Sequence, residues 1–286
     1  MQESARPRRS VLYMPGSNAR ALEKAKGLDA DCLILDLEDA VSPGEKPQAR
    51  EMVAEAVRSQ GYGRRELIIR INGLDTKWGE DDLTTACAAE PDAILVPKVE
   101  RASQVQEIVS RMEIFETPSK LWAMMETPLA MLNAAEIASA SPRLSAFVMG
   151  TNDLVKDMHA SHTPDRLPVI TGLGLCLLAA RAYGLTILDG VHNAIKDEEG
   201  LRAACLQGKE LGMDGKTLIH PAQVAITNEV FSPSNEAISS ARRMMAAFEE
   251  AKAEGRGVAV VDGRIVENLH VLEAQRVLAM AEAIAR

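Results

Sequence analysis

The sequence predicts a (β/α)8 barrel over residues 1–230 and a helix–hairpin–helix extension over residues 231–286. Strand-like runs alternate with helical patterns, which implies parallel pairing, and eight such units are the number that closes a barrel. Polar and charged residues gather where each apolar run stops, always on the same side of the unit. In a barrel that side is the C-terminal face, where active sites sit. An open doubly wound sheet is the alternative, but no G-x-G-x-x-G follows a strand.

In chain order the strand candidates are Ser10–Tyr13, Cys32–Leu37, Leu67–Ile71, Ala93–Pro97, Leu121–Met125, Ala146–Met149, Thr186–Leu188 and Thr217–Ile219. Amphipathic patterns follow most of them, over Ala19–Gly27, Lys46–Gln60, Asp81–Ala88, Ala102–Met112, Leu129–Ala140, Pro168–Tyr183 and Asp197–Leu211. The strand ends read MPGSN, DLEDAV, RIN, VPKVE, METP, MGTND, DGVHN and IHPAQ, a polar rim in register. Near Phe231 the pattern changes. A long helix is expected from an N-cap at Ser234 or Asn235 to a terminating glycine. GVAVVDGRIV then reads as two short strands about an Asp262–Gly263 turn, and Leu269–Arg286 as a last amphipathic helix. Lying beyond the eighth unit, this extension is expected to be a lid or a subunit contact.

The totals set limits on function. With 286 residues, 47% of them hydrophobic and 26% charged, the chain has the composition of a soluble globular protein with a sizeable core. A net charge of −9 and a pI near 5.2 argue against a general affinity for nucleic acid. A phosphorylated ligand would need a local group of Lys and Arg. No apolar run approaches the roughly 20 residues that cross a bilayer, and no hydrophobic segment follows MQESARPRRS, so neither a membrane span nor a signal peptide is expected. Cys32, Cys87, Cys176 and Cys205 have no ligand spacing and read as small buried hydrophobes in a reducing cytoplasm.

The chemistry centres on Leu121 to Leu154. LWAMMETP and LSAFVMGTNDL are apolar runs that stop on a carboxylate, Glu126 and Asp153, with a helix-length segment between them. That spacing brings both to one rim of a parallel sheet. Each alone can also be read as a helix N-cap, the lesser reading; the matched placement favours a pair. With no Cys or His beside them, they form a hard oxygen site suited to Mg²⁺. Asp36, Glu38 and Asp39 crowd another strand end, either as a capping turn or to orient metal waters or an arginine. Arg70 ends IIRIN, where it can pair with that turn, stabilise a carboxylate or oxyanion, or do both.

Other motifs fall away. GKELGMDGKT has Glu210 where a P-loop needs glycine, no G-x-S-x-G occurs, and His159 and His162 lack a third ligand. Lys98 has no neighbouring cation to lower its pKa, as a Schiff-base lysine would require.

Together, RSVLYMPGSN, DCLILDLEDAV, RIN, VPKVE, METP, MGTNDL, GKTLIHPAQV and NEVFSPS resemble, over nearly the whole chain, the citrate lyase β-subunit-like branch of the HpcH/HpaI aldolase superfamily. The resemblance implies a (β/α)8 barrel that uses Mg²⁺, or Mn²⁺, on CoA thioesters of small hydroxy acids, and a homotrimer or homohexamer. It implies that Glu126 and Asp153 bind the metal and that Arg70 holds the acyl oxygens, with Glu38 and Asp39 in support. Tyr13 and Lys24 fall where relatives contact CoA, Asn18 stands where some have arginine, and Ile219 and His220 line the last strand end.

One departure bears on the reaction. Where relatives carry an Asp in a stretch like G-x-M-I-D-x-P, offered to a neighbouring subunit, this chain reads GRIVENL, with Glu267 and no proline. The longer side chain moves the carboxylate by about 1 Å, enough to cost carbon protonation roughly a hundredfold, and it can instead hold water as a general base. The expectation is a thioesterase that hydrolyses malyl-CoA. The alternatives are a lyase giving acetyl-CoA with glyoxylate or pyruvate, and a carrier-dependent citrate lyase β-subunit.

Overall fold

The structure, a computed structural model, describes residues 6–285, so the first five residues and Arg286 lie outside the described residues. Eight parallel strands, β1 (Ser10–Pro15), β2 (Cys32–Asp36), β3 (Glu66–Arg70), β4 (Ala93–Val96), β5 (Lys120–Met125), β6 (Leu144–Met149), β7 (Thr186–Asp189) and β8 (Gly215–Leu218), close into a barrel. β8 returns to β1 through the register Val11 to Thr217. The expected (β/α)8 barrel is the fold.

Alternation along the strands produces two cores. Val11, Ile34, Ile68, Leu95, Trp122, Met124, Val148 and Leu188 point inward and fill the barrel. Their neighbours Leu12, Leu33, Leu35, Ile69, Ile94, Phe147 and Ile187 point outward beneath the helices. At the N-terminal face, Arg8 pairs with Glu66 and Arg9 with Asp31, contacts that stabilise the barrel floor. Among the described residues no helix is long and apolar enough to cross a membrane.

Three local differences have physical reasons. The helix expected over Leu129–Ala140 is two short ones, Pro128–Leu132 and Ala134–Ala138. Asn133 between them leaves helical geometry, and its Nδ2 donates to the Glu100 carbonyl at 2.9 Å. The helix Thr151–Asp157 was not foreseen, because its seven residues, about two turns, carry too little periodicity. Val224–Phe231 is also helical, entered through the Pro221–Gln223 turn that His220 caps.

The chain forms two compact units, Arg8–Glu229 and another holding the residues from Val230 onward. The second unit, described by itself, opens with helix Asn235–Ala253, where Ser234 Oγ accepts the Ala237 N–H at 3.1 Å. The antiparallel strands β9 (Ala259–Val261) and β10 (Arg264–Val266) follow, joined by Asp262 and Gly263 at φ 51° and 75°, both positive as a two-residue hairpin turn requires. Helix Asn268–Ala285 ends the unit, whose small core holds Ala251, Ala259, Val266 and Val271.

Candidate active site

The inward positions of the strands continue past the apolar core to the C-terminal rim. Tyr13 follows Val11, Asp36 follows Ile34, Arg70 follows Ile68, and Glu126 follows Met124, each two residues on and therefore on the same face. These four, with Asp153, Thr217 and Ile219, line a cleft of about 310 Å³.

Arg70 is its electrostatic centre. It is only 6% exposed, and its Nε and Nη2 each donate to Asp36, to Oδ1 and Oδ2, at 2.6 Å. Asp36 in turn accepts the N–H groups of Glu38 and Ala40, so one carboxylate fixes both the arginine and the acidic turn. Nη1 remains for other partners. It lies 2.7 Å from Glu38 Oε2, off hydrogen-bond direction, and 3.6 Å from the exposed Asp39. The Tyr13 ring lies over the guanidinium at 4.8 Å, a cation–π contact. Burial opposes the charge on Arg70, but Asp36, Tyr13 and Glu38 outweigh it and raise its pKa. Burial pushes Glu38 up to about 8, with Arg70 opposing and Asp39 and Glu126 adding.

Glu126 and Asp153 face the same cleft. Glu126 is 4% exposed, and its Oε1 accepts the Lys98 N–H at 2.7 Å. Lys98 adopts φ 50°, a left-handed conformation that aims this N–H at the carboxylate. Gly150 makes room on the other side, since a Cβ there would meet Glu126 Oε2 at 2.6 Å. Asp153 sits in the first turn of helix Thr151–Asp157, where the helix terminus favours negative charge. Burial raises the Glu126 pKa to about 7; the Lys98 N–H opposes, and Asp153 adds to the rise. For the Lys98 ammonium, burial is outweighed by Asp153 and Glu126, which raise its pKa. A Schiff-base lysine needs the opposite shift.

The other expected residues divide into groups. Ile219 lines the cleft, whereas exposed His220 caps the following turn, its Nδ1 accepting the Ala222 N–H at 3.2 Å. Asn18 caps helix Ala19–Ala25 by accepting the Ala21 N–H at 3.0 Å, and Lys24 is exposed in its last turn; neither lines the cleft. Glu267 belongs to the second unit, is exposed, and donates its N–H to His270 Nδ1 at 3.0 Å. Sequence reasoning grouped Asp36 with Glu38 and Asp39 as acids that could orient an arginine; the β2–β3 register, Asp36 beside Arg70, singles it out as the arginine's main partner. Met124, whose sulfur lies 3.7 Å from Arg70 Nη1, carried no signal beyond apolarity.

The donor set fits a hard divalent cation. Two half-buried or buried carboxylates share a cleft, and among the described residues no cationic side chain forms an ion pair with either. Among the described residues no cluster of three His, Cys, Asp or Glu forms a closed cage. Two carboxylates plus water and substrate oxygens are a usual Mg²⁺ arrangement.

The barrel, the arginine-clasping acidic turn and the carboxylate pair together define a class. Residues 9–221 match the HpcH/HpaI aldolase/citrate lyase family, and the chain belongs to it. Its relatives include a (3S)-malyl-CoA thioesterase of Cereibacter sphaeroides, 59% identical over 285 residues that cover 100% of this chain and 98% of the relative. An L-malyl-CoA/β-methylmalyl-CoA lyase of the same species is 35% identical over 98% and 96% of the two chains. Among solved structures, the CitE protein of Mycobacterium tuberculosis in complex with magnesium, acetoacetate and coenzyme A superposes with a TM-score of 0.78. It is 28% identical, over 99% of this chain and 100% of that one.

Proposed function

We propose that this chain is a Mg²⁺-dependent thioesterase that hydrolyses (3S)-malyl-CoA to malate and free CoA. The observation that carries the reading is full-length 59% identity with a (3S)-malyl-CoA thioesterase, against 35% with a malyl-CoA lyase. The cation-demanding pair in the cleft supports it.

Glu126 and Asp153 would hold the Mg²⁺. When bound, the ion supplies Lewis-acid polarisation of the acyl oxygens. Arg70, fixed on its Asp36 side, offers Nη1 to the acyl carboxylate. Glu38 and Asp39 keep that edge of the guanidinium turned into the cleft. Glu267 is the general base that holds water against the thioester carbonyl, provided by its own or a neighbouring subunit. Tyr13, Asn18, Lys24, Ile219 and His220 contact the CoA portion, with exposed Lys24 suited to phosphate.

The assembly is a homotrimer or homohexamer. Exposed Leu167, Leu175 and Leu178 on one helix support burial against another copy. We place the enzyme in the cytoplasm, a compartment in which four buried, unpaired cysteines persist. The extension over residues 231–286 is the lid or subunit contact.

The test follows free thiol and glyoxylate together during incubation with Mg²⁺ and malyl-CoA, without partner proteins. Thiol without glyoxylate is expected. Glyoxylate with accumulating acetyl-CoA makes the protein a lyase, and inertness points to a carrier-dependent citrate lyase β-subunit.

A further inference from the structure

Beneath the acidic turn lies a buried ammonium that the chemistry above does not use. Lys46 is 5% exposed and opens helix Lys46–Arg58. Its Nζ donates to the Leu37 carbonyl at 2.8 Å, the Glu38 carbonyl at 2.7 Å and Asn72 Oδ1 at 2.8 Å. An ammonium has three donors, and all are spent. Every acceptor is neutral, and among the described residues no carboxylate forms an ion pair with Nζ. The Trp78 ring covers it at 5.0 Å.

This arrangement is poor value as a fold device. A buried charge whose hydrogen-bond acceptors are all neutral carries a desolvation cost that a methionine-like side chain avoids, and here burial outweighs the favourable field of Asp36, Asp82, Glu38 and Asp39. Nor do the carbonyls depend on it. Leu37 O also accepts Asn72 Nδ2 at 2.8 Å, and Glu38 O accepts the Val41 N–H at 3.2 Å. Asn72 is anchored independently, through its N–H and Nδ2, to Asp82, which Arg50 pairs at 2.7 Å. What the ammonium adds is a third point of fixation. Asp36 holds the turn through the Glu38 and Ala40 N–H groups, while Lys46 holds it through the carbonyls of Leu37 and Glu38.

We propose that Lys46 is a positioning residue: it fixes the backbone of Leu37 and Glu38 so that the Glu38 carboxylate meets Arg70 in the cleft. The catalytic part of this inference rests on the thioesterase reading; the positioning part does not. Lys46 acts through Glu38 and touches no reacting atom.

The experiment uses Lys46→Met, with Lys46→Gln as a second variant that keeps an N–H donor without charge. Hydrogen–deuterium exchange of the Glu38, Ala40 and Val41 amides is read first, in metal-free protein. Exchange about tenfold faster than in the parent is expected, because their turn has lost an anchor. Malyl-CoA hydrolysis is read second: kcat falls roughly 10–100-fold, the scale of a 1 Å misplacement, while KM stays within about threefold. A double-mutant cycle with Glu38→Gln completes the test, and the Lys46 loss is expected to vanish on that background.

Unchanged exchange overturns the proposal whatever the substrate proves to be. So does a kcat loss that adds in full to that of Glu38→Gln, since Lys46 would then act elsewhere. If neither variant folds, Lys46 is a residue of the fold alone and the proposal fails. If the parent releases no thiol from malyl-CoA, the thioesterase reading fails, and the exchange result alone decides the role of Lys46.

Discussion

Removing the cation from a site like this one has a thermodynamic signature that can be read without substrate. Glu126 loses its proton near pH 7 in the folded metal-free barrel, against an ordinary 4.5. Between those values the native state keeps a proton that the unfolded chain has released. Stability therefore falls as pH rises through that window, and the deficit is complete above pH 7. At about 1.36 kcal/mol per pH unit the deficit is about 3 kcal/mol, which lowers the midpoint of thermal unfolding by roughly 6–10 °C. Glu38, pushed up to about 8, extends the same trend to higher pH.

The assay is thermal unfolding of chelator-treated protein from pH 5 to 8.5, with and without millimolar Mg²⁺, for the parent and Glu126→Gln. The glutamine oxygen can still accept the Lys98 N–H, so the substitution removes the charge and little else. In the parent, Mg²⁺ restores the midpoint at pH 8 and adds little at pH 5, where a proton already occupies Glu126. In Glu126→Gln both the steeper part of the pH slope and the Mg²⁺ gain disappear. An identical slope in the two proteins, or equal Mg²⁺ protection, refutes the assignment of Glu126.

Arg70→Met leaves Asp36 buried without its cation, so a loss of about 3–5 kcal/mol in stability is expected on chemical denaturation. Arg70→Lys restores stability in part but not turnover, because a lysine cannot make the two-pronged contact. Glu267→Asp should shift products from free thiol toward glyoxylate; an unchanged ratio removes Glu267 from the explanation of hydrolysis. All four cysteines are buried, and burial raises Cys87 to about 11 and Cys176 to about 12, so a thiol reagent should label none in the native state and four after denaturation.

The barrel was legible because its strands are continuous apolar runs with polar ends, a pattern that survives without any tertiary knowledge. All eight strands appear within a few residues of their expected bounds. The pair Glu126 and Asp153 was legible for the same reason, each ending such a run. What escaped was whatever depends on a contact. Asp36 looks like one of three similar acids, and only the register between β2 and β3 singles it out as the partner of Arg70. The break at Asn133 depends on a carbonyl 33 positions upstream. The Lys98 N–H belongs to a backbone conformation that the sequence VPKVE does not declare. Tyr13 was expected beside CoA from resemblance; that its ring packs on the guanidinium is a further contact that only the barrel's inward alternation reveals.

The charges of the rim bear on why such a site would need a cation at all. Asp36, Glu38, Asp39, Glu126 and Asp153 gather around Arg70 and Lys98, and Asp36 alone already takes the whole Nε–Nη2 edge of the arginine. A fully ionised cleft is therefore negative, and an acyl carboxylate entering it would meet repulsion at close range, where partial burial weakens solvent screening. Burial, with a smaller contribution from the neighbouring carboxylates, makes the barrel hold protons on Glu38 and Glu126 instead, which relieves part of that charge. Protonation would remove the oxygens' capacity to ligate, however, so it cannot serve anion binding and metal binding at once. A divalent cation would resolve the conflict: held by Glu126 and Asp153, it would offset their charge while leaving their oxygens engaged. On this argument polarisation is only half of what the ion would contribute; the other half is cancelling most of the pocket's negative charge.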